Sequence, residues 1–167
     1  MDQELGVQAG DLVNALSRGE LSKLFFTFGE ERFSQRIADA IIRARQSGPI
    51  QTTTELASIV SRVVPNKQEK INPATRVFQA LRIAVNDELN SLKEALPKAL
   101  ALLETGGRLV IISFHSLEDR IVKETFKEFK DKGLGTIITK KPIVPSIEEI
   151  AQNSRSRSSK LRVFEKL

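Results

Sequence analysis

The first part of the chain has its apolar residues at helical spacing. Over residues 30–46 they recur every three or four positions, which is typical of an amphipathic helix with one face on a core. The repeating apolar positions are Phe33, Ile37, Ala40 and Ala44. Thr52 and Glu55 have the spacing of a capping box, which opens a further helix. Residues 10–65 are therefore predicted to be all-helical.

A second helical pattern starts at Asn72-Pro73, where Asn is a preferred N-cap and Pro a preferred first helical residue. Its apolar residues fall on one stripe that extends over residues 78–92. The stripe consists of Phe78, Leu81, Val85, Leu89 and Leu92. Pro97 is expected to kink or restart the helix, which ends at Gly106. The pattern thus predicts one long helix that spans both sets of apolar residues.

Residues 108–132 have the pattern of a strand, a polar turn and a helix. Continuous apolar residues over 109–112 indicate a strand that is buried on both faces of a parallel sheet. Ser116 is a candidate N-cap for the helix, with Glu118 and Asp119 in its first turn, where the helix dipole favours negative charge. This order of elements predicts an α/β fold.

The turn at the end of this strand is the candidate functional site. Ligands of open α/β sheets bind at the carboxyl ends of the strands, and Ser113, Phe114 and His115 lie there. His115 is the only histidine in the chain. The alternative is an ordinary strand–helix unit in which His115 only caps or packs. Asp119 likewise has an alternative role in the helix cap.

The last part of the chain alternates short apolar runs with polar loops. Short strands are predicted over residues 136–139 and 161–165, and a brief helical turn begins at Ser146. Residues 154–159 form a low-complexity Ser/Arg run, which we expect to be a mobile rim.

Composition narrows the functional classes. The chain of 167 residues carries a formal net charge of +5, and its pI is near 9.6, a basic excess that suits a nucleic-acid partner. It has no cysteine, which excludes disulfides and thiolate metal sites, and its one histidine without grouped acids gives no metal-ligand set. No apolar run reaches the length of a membrane span. We therefore expect a cytoplasmic protein without a membrane partner.

Basic and polar residues in three places are candidate contacts to RNA phosphates. One group lies on a face of the predicted helix over 30–46, a second borders the apolar stripe of the long helix, and a third lies in the late loops. A solvated face is the alternative for the first group, and hydrogen bonds to a neighbouring loop are the alternative for the second. The candidates are Arg32, Arg36, Arg43, Arg82, Asn86, Lys140, Lys141, Arg155 and Arg157.

Four long strings resemble one protein family. Residues 112–123, Ile-Ser-Phe-His-Ser-Leu-Glu-Asp-Arg-Ile-Val-Lys, and residues 72–89, which begin Asn-Pro-Ala-Thr-Arg-Val-Phe, closely resemble the bacterial small-subunit ribosomal RNA cytosine-N4 methyltransferases. Residues 28–33, Phe-Gly-Glu-Glu-Arg-Phe, are similar to the central signature of that family. Residues 153–163, Asn-Ser-Arg-Ser-Arg-Ser-Ser-Lys-Leu-Arg-Val, are similar to its C-terminal signature. The resemblance runs in order through the whole chain.

The resemblance implies the C-terminal part of a class I, Rossmann-like methyltransferase sheet with an inserted all-helical subdomain. Residues 1–9 would join a missing N-terminal half, residues 10–70 would be the inserted subdomain that recognises RNA, and residues 71–167 would complete the methyltransferase domain. The two late strands would then be the closing antiparallel hairpin of that sheet. The implied partner is 16S ribosomal RNA or the small ribosomal subunit, and the state of oligomerisation is open.

The cofactor that the resemblance implies is S-adenosylmethionine. Members of the family hold it in a glycine-rich loop between a strand and a helix, yet the nine glycines of this chain are scattered, and the pair Gly106-Gly107 precedes a strand. We therefore expect most of the cofactor site to lie outside this chain, and the chain alone to be inactive. The alternatives are a non-catalytic module that binds RNA or the ribosome, and an inactive fragment of the same family.

Methyl transfer to an exocyclic amine requires orientation more than acid–base catalysis. The enzyme must hold the nitrogen lone pair in line with the methyl carbon at near-attack distance, and the proton can leave late. Polar side chains at a strand end are suited to this orientation. The candidates for the active-site edge are Ser113, His115, Ser116 and Asp119.

Overall fold

The computed structural model describes residues 6–65, 72 and 74–167. The chain divides into two compact units, one up to Glu88 and one from Leu89 onwards. The sequence-based boundary lies instead between residues 70 and 71. The assignment of residues 1–9, 10–70 and 71–167 to a junction, an inserted subdomain and a methyltransferase part stays a prediction, because compactness alone does not identify such domains.

Five helices form the described part of the first unit, which agrees with the prediction that residues 10–65 are helical. Ser17 accepts a hydrogen bond from the Glu20 backbone N–H, and Thr52 accepts one from that of Glu55, so both side chains act as N-caps. The helices enclose an apolar core in which Leu21, Phe25, Ile37, Ile41 and Val60 are fully buried. The helices are α1 (Ala9–Ala15), α2 (Arg18–Gly29), α3 (Ser34–Arg45), α4 (Thr53–Val63) and α5 (Thr75–Asn86).

Helix α3 begins four residues later than the sequence pattern predicted. Glu30 ends α2 with a left-handed conformation, at φ 48°, and residues 31–33 form a turn before α3 starts at Ser34. The predicted apolar stripe of α3 nevertheless faces the core, because Ile37 and Ala40 are buried and Phe33 and Ala44 pack against them. Arg32 therefore precedes the helix, and the predicted helical face of three arginines does not form as one face.

The prediction of one long helix from residue 72 is wrong. Asp87 adopts a left-handed conformation with φ 48° and ends α5, and helix α6 (Glu88–Leu102) begins directly after it. Pro97 lies inside α6 without ending it. The apolar stripe is divided by this break, because Phe78 and Leu81 belong to the core of the first unit, whereas Leu89 and Leu92 pack on the core of the second.

The second unit combines helices with a three-stranded antiparallel sheet of order β1-β3-β2. After α6 it contains β1 (Arg108–Ser113), α7 (Ser116–Asp131), β2 (Gly135–Ile137), α8 (Ile147–Gln152), a short 3-10 helix (Ser154–Ser158) and β3 (Lys160–Lys166). One face of the sheet packs on α6 and α7. That core contains Leu96, Leu100, Leu109, Val122, Phe126 and Phe164.

Strand β1 is present where the sequence predicted it, but its surroundings differ. It pairs antiparallel with β3, and Val110 lies opposite Val163. Its side chains alternate between buried and exposed, so that Val110 and Ile112 are 49% and 54% exposed. Within the described residues, β1 is therefore an antiparallel edge strand with one buried face, and the expected parallel strand with two buried faces is not seen.

The late elements agree more closely with the sequence. β2 pairs antiparallel with β3, with Ile137 opposite Phe164, which confirms the predicted hairpin. Ser146 caps α8 by accepting a hydrogen bond from the backbone N–H of Glu149. The expectation of a mobile rim over residues 154–159 is wrong, because Ser154–Ser158 form the 3-10 helix, where Ser156 is buried and donates to the carbonyl oxygen of Asn153 at 2.8 Å.

Among the helices of the described ranges, none has the length and the apolar character needed to cross a bilayer.

Candidate functional site

The predicted turn between β1 and α7 consists of Ser113, Phe114 and His115. Ser113, the last residue of β1, is buried, and its Oγ donates to the carbonyl oxygen of Lys160 at 3.3 Å. Phe114 is 54% exposed. The side chain of His115 is only 10% exposed. The turn thus holds one exposed aromatic ring and one nearly buried imidazole at the end of a strand.

His115, and not Ser116, is the N-cap of α7. Its Nδ1 accepts a hydrogen bond from the backbone N–H of Glu118 at 3.3 Å, and the Glu118 carboxylate accepts from the backbone N–H of His115, also at 3.3 Å. The two residues thus form a reciprocal capping box. Ser116 is the first helical residue and is exposed. The predicted cap at Ser116 is therefore wrong, although the predicted helix is confirmed.

The cap fixes the protonation pattern of the His115 ring. An Nδ1 that accepts a hydrogen bond carries no proton, so the neutral ring has its proton on Nε2. Nε2 lies 3.3 Å from Oε1 of Glu118, but the two are not aligned as a hydrogen bond. Among the residues that the structure describes, Nε2 is a buried atom without a hydrogen-bond partner. Such a group carries a desolvation cost and calls for an explanation.

Glu118 organises the backbone of the turn. Its Oε2 accepts hydrogen bonds from the backbone N–H groups of Phe114, at 2.8 Å, and His115. Burial alone would raise the pKa of Glu118, but the contact with the His115 ring and the hydrogen bonds from the backbone N–H groups of Phe114 and His115 outweigh it and lower that pKa. Glu118 is therefore held as a carboxylate whose oxygens face the turn.

Asp119 is not part of the helix cap. It is buried and binds Arg162 through two hydrogen bonds, from Nε to Oδ1 at 2.7 Å and from Nη2 to Oδ2 at 3.2 Å. Lys160 Nζ lies 3.3 Å from its Oδ2. Burial would raise the pKa of Asp119, but the hydrogen bonds and charges of Arg162 and Lys160 hold that pKa below its usual value. Its carboxylate is thereby occupied within the protein.

Two of the predicted RNA contacts flank one aromatic ring. The guanidinium carbon of Arg32 lies 4.8 Å from the ring centre of Phe33, and that of Arg36 lies 5.8 Å from it, both within the range of a cation–π contact. Arg32 and Arg36 are exposed, as is Arg43 further along α3. Phe33 thus brings Arg32 and Arg36 together although they do not share a helix.

Arg82 and Asn86, by contrast, are tied to an acidic residue of their own unit. Arg82 pairs with Glu88 through two hydrogen bonds of 2.8 and 3.0 Å. Asn86 Nδ2 donates to the same carboxylate at 3.0 Å. The charge of Arg82 is therefore compensated within the protein, which makes Arg82 and Asn86 weaker candidates for phosphate contact than the exposed cations.

The remaining candidates lie on the surface of the second unit. Lys140 and Lys141 are exposed in the segment between β2 and α8, and Arg155 and Arg157 are exposed on the 3-10 helix. The 3-10 helix is fixed by Asn153, whose Oδ1 accepts from the backbone N–H of Arg155 at 3.2 Å. Arg155 and Arg157 therefore project from a folded segment.

Sequence reasoning missed two residues of this site, Glu118 as the hub of the turn and Arg162 as the partner of Asp119. The signal for Glu118 is weak, because histidine is not a preferred N-cap residue. The burial of Arg162 could have been predicted, since Arg162 lies two residues from Phe164 and therefore on the same face of the strand. A cation on the buried face of a strand requires a carboxylate nearby, and Asp119 was available.

Comparison with known proteins identifies the family of the chain. The family model described as the MraW methylase family matches residues 1–167. The chain belongs to the MraW methylase family. This agrees with the resemblance of the four sequence strings.

Relatives of this family are similar to the chain over nearly its whole length. Each of the following is named ribosomal RNA small subunit methyltransferase H. The protein of Coprothermobacter proteolyticus is 52% identical over 96% of the chain and 53% of its own length. That of Cyanothece sp. is 53% identical over 100% of the chain and 55% of its own length. That of Caldicellulosiruptor bescii is 50% identical over 100% of the chain and 59% of its own length. The chain thus spans little more than half the length of these relatives.

Proposed function

We propose that this chain is the C-terminal part of an S-adenosylmethionine-dependent enzyme that methylates N4 of a cytosine in small-subunit ribosomal RNA. Membership of the MraW methylase family and the names of the relatives supply the reaction class and the type of RNA. The observation that carries the proposal within the chain is the His115 ring, whose buried Nε2 lies 3.3 Å from Glu118 Oε1 and has no aligned hydrogen bond among the described residues.

The turn supplies groups that orient a base. Methyltransferases that act on a base take it out of the stack and recognise its exposed edge by hydrogen bonds and stacking. Nε2–H of His115 is a donor suited to an acceptor atom of cytosine, and the exposed Phe114 ring next to it offers a stacking surface. Holding the base in this way fixes the direction of its exocyclic amine, which is the main requirement of methyl transfer.

The chain does not fit a complete cofactor site. Its described strand-to-helix turn, Ser113–His115, contains no glycine, and Gly106 and Gly107 instead pair with Lys166 of β3 through backbone hydrogen bonds of 2.8 and 2.9 Å. In the described ranges, no strand is followed by a glycine-rich loop of the kind that binds a phosphate or a cofactor. We therefore assign S-adenosylmethionine to a site mostly outside this chain.

The sheet has features of a larger, Rossmann-like sheet. On the face away from α6 and α7, Val110 and Ile112 of β1 are about half exposed, next to Val163 and Leu161 of β3. In the described residues no strand pairs with the other edge of β1. A long apolar edge strand is a site for further pairing. We infer that additional strands continue the sheet at β1 and that helices cover its outer face.

The test is methylation by the chain after fusion to the preceding half of the Cyanothece relative. We expect N4-methylcytosine in small-subunit ribosomal RNA, detected by mass spectrometry of digested nucleosides. His115→Ala should lower the turnover ten-fold or more, on the order of the loss from a misplaced reacting group, with little change in melting temperature.

Glu124→Ala is the matched control, because Glu124 is exposed later on the same helix and is not among the candidate active-site residues. The proposal fails if the fused protein methylates another atom or no RNA at all. The assignment of His115 fails if His115→Ala lowers the melting temperature but leaves the turnover per folded molecule unchanged.

A second candidate function is RNA binding without catalysis. The arginine pair on Phe33 and the exposed cations of the second unit support it. The two functions differ in the fusion experiment, since a binding module retains RNA without forming any methylated product.

A further inference from the structure

The buried Asp119–Arg162 pair is unexpected on the inner face of the sheet. Arg162 is 7% exposed and Asp119 is 8% exposed, beside the fully buried Phe164. Exchanging a buried ion pair for apolar side chains of similar volume is often neutral or stabilising. Such a pair instead fixes the relative orientation of the two side chains, because the planar guanidinium binds both carboxylate oxygens in one geometry.

The pair connects β3 to the first turn of α7. The backbone N–H of Asp119 donates to the carbonyl oxygen of His115 at 3.2 Å, so a displacement of Asp119 displaces the N-cap. On the other side of the turn, Ser113 Oγ donates to the carbonyl oxygen of Lys160. Lys160 and Arg162 of β3 therefore hold both sides of the Ser113–His115 turn.

We propose that Arg162, acting through Asp119, is a positioning residue that fixes the orientation and tautomer of the His115 ring. This inference rests on the proposed function for the importance of His115, but it concerns the ring itself and is tested without an assay of methylation. In this proposal Arg162 and Asp119 act on the His115 ring only through the first turn of α7.

The physical link is the helix cap. Nδ1 of His115 stays unprotonated because the backbone N–H of Glu118 points at it. That N–H belongs to the first turn of α7, whose position relative to the sheet is set by the Asp119–Arg162 pair. If the first turn moves, Nδ1 loses its donor, and the ring exchanges between its two neutral tautomers.

The chain offers a direct probe, because His115 is its only histidine. The full chain labelled with 15N-histidine gives one pair of ring nitrogen signals, recorded at alkaline pH. In the wild type we expect a wide separation between an unprotonated Nδ1 and a protonated Nε2. In Asp119→Asn and Arg162→Lys the separation should fall, because exchange between the two neutral tautomers averages the signals of the two ring nitrogens.

Arg162→Lys retains the positive charge but loses the bidentate geometry, which distinguishes positioning from charge alone. Arg108→Met is the matched control. It removes the cation of the Arg108–Glu165 pair, at 2.8 Å, which links β1 and β3 on the outer face and does not involve α7. We expect the His115 signals of Arg108→Met to match the wild type.

A double variant separates positioning from stability. Asp119→Leu with Arg162→Met replaces the pair by apolar side chains, and its melting temperature should return close to that of the wild type. The His115 signals should nevertheless remain averaged, because apolar packing supplies no fixed direction. The proposal is overturned if the wide separation persists in Asp119→Asn and Arg162→Lys, or if it recovers together with the melting temperature in the double variant.

These outcomes are independent of the proposed function. Averaged His115 signals in the two single variants of the chain, together with a fused protein that makes no N4-methylcytosine, would uphold the positioning role and reject the reaction. An active fused protein, together with unaltered His115 signals in both single variants of the chain, would do the opposite.

Discussion

At the scale of single residues, most polar side chains of the candidate site form hydrogen bonds within the protein. Glu118 accepts two backbone hydrogen bonds, and the Nδ1 of His115 accepts one. Ser113 and Asp119 are bound to β3. Of the four predicted active-site residues, only His115 combines a nearly buried side chain with a polar atom that has no partner in the described residues. The proposed function therefore depends on His115 more than on the other three residues.

The pair of Asp119 and Arg162 makes stability depend on acid pH. The pKa of Asp119 is lowered in the folded protein, so its contribution is fully present above the pKa of the unfolded chain, about 3.9, and is lost as the pH falls through the folded pKa. Asp119→Asn leaves Arg162 buried without its carboxylate and should lower the free energy of unfolding by about 3 kcal/mol at pH 7. The difference from the wild type should shrink below about pH 4.

Urea unfolding between neutral and acid pH measures this difference. Asp131→Asn serves as the control for the loss of a carboxylate at the exposed end of the same helix. A difference between Asp119→Asn and the wild type that is constant at all pH values would contradict the assignment of the acid dependence to this pair.

At the scale of elements, the sequence predicted the existence of most helices and strands, and the structure corrects where they break. The N-cap at Thr52 and the helix after residue 116 follow from spacing and from side-chain chemistry. The end of α2 at Gly29 was also predicted. The break at Asp87 was not, because Asp87 is a non-glycine residue in a left-handed conformation, which is uncommon and has no reliable sequence signal. Tertiary packing decides this position.

The pairing of β1 shows a similar limit of sequence reasoning. A run of apolar residues indicates a strand, but it does not reveal which strand lies beside it. The partner, β3, begins 47 residues after the end of β1 at Ser113, where Ser113 lies opposite Lys160. The pairing of Asp119 with Arg162, 43 residues apart, is of the same kind.

The contact between α2 and α5 gives a prediction at this scale. A Cβ added at Gly29 would lie 2.7 Å from the backbone oxygen of Arg76 on α5, so Gly29 permits a close approach of two helices. Gly29→Ala should destabilise the first unit by about 2 kcal/mol, since a backbone atom cannot yield as a side chain does. Thermal unfolding followed by circular dichroism measures the effect.

Gly19→Ala is the matched control, because Gly19 lies in the same helix with nothing within 4 Å of the added Cβ. It should leave stability unchanged or raise it by up to about 1 kcal/mol through helix propensity. If Gly29→Ala and Gly19→Ala change stability equally, the close approach of α2 and α5 at Gly29 does not require a glycine.

At the scale of the whole molecule, the chain combines the Ser113–His115 turn with exposed cations on both of its units. The chain spans just over half the length of its relatives. Family membership was predictable from long literal strings, whereas composition alone indicated only a basic protein that suits nucleic acid. The proposed function leads to two predictions at this scale.

The chain alone should not bind S-adenosylmethionine tightly. The described residues contain no glycine-rich turn after a strand, and the outer face of the sheet lacks a covering layer among them. Isothermal titration calorimetry of the purified chain should show no binding at micromolar concentrations, whereas the fusion with the Cyanothece half should bind. Micromolar binding by the chain alone would mean that the cofactor site lies within residues 1–167.

RNA binding should depend on salt through the cations of the 3-10 helix. Arg155 and Arg157 are exposed on a segment held by Asn153, so both guanidiniums are available to phosphates. Each phosphate that is neutralised steepens the slope of log K against log salt by about 0.7 to 0.9. Replacing both residues by Ala should therefore flatten the slope by roughly 1.4 to 1.8, measured by filter binding of a small-subunit ribosomal RNA fragment.

The matched control for this experiment is Lys123→Ala with Lys127→Ala, which removes two exposed cations from α7 and changes the net charge equally. If the salt slope depends on net charge alone, both double variants flatten it to the same extent. If the 3-10 helix contacts the RNA backbone, the slope changes mainly with Arg155 and Arg157, because released counterions are counted at the phosphates that are actually contacted. An unchanged slope in the arginine variant would assign this helix to solvent and remove it from the RNA-binding surface.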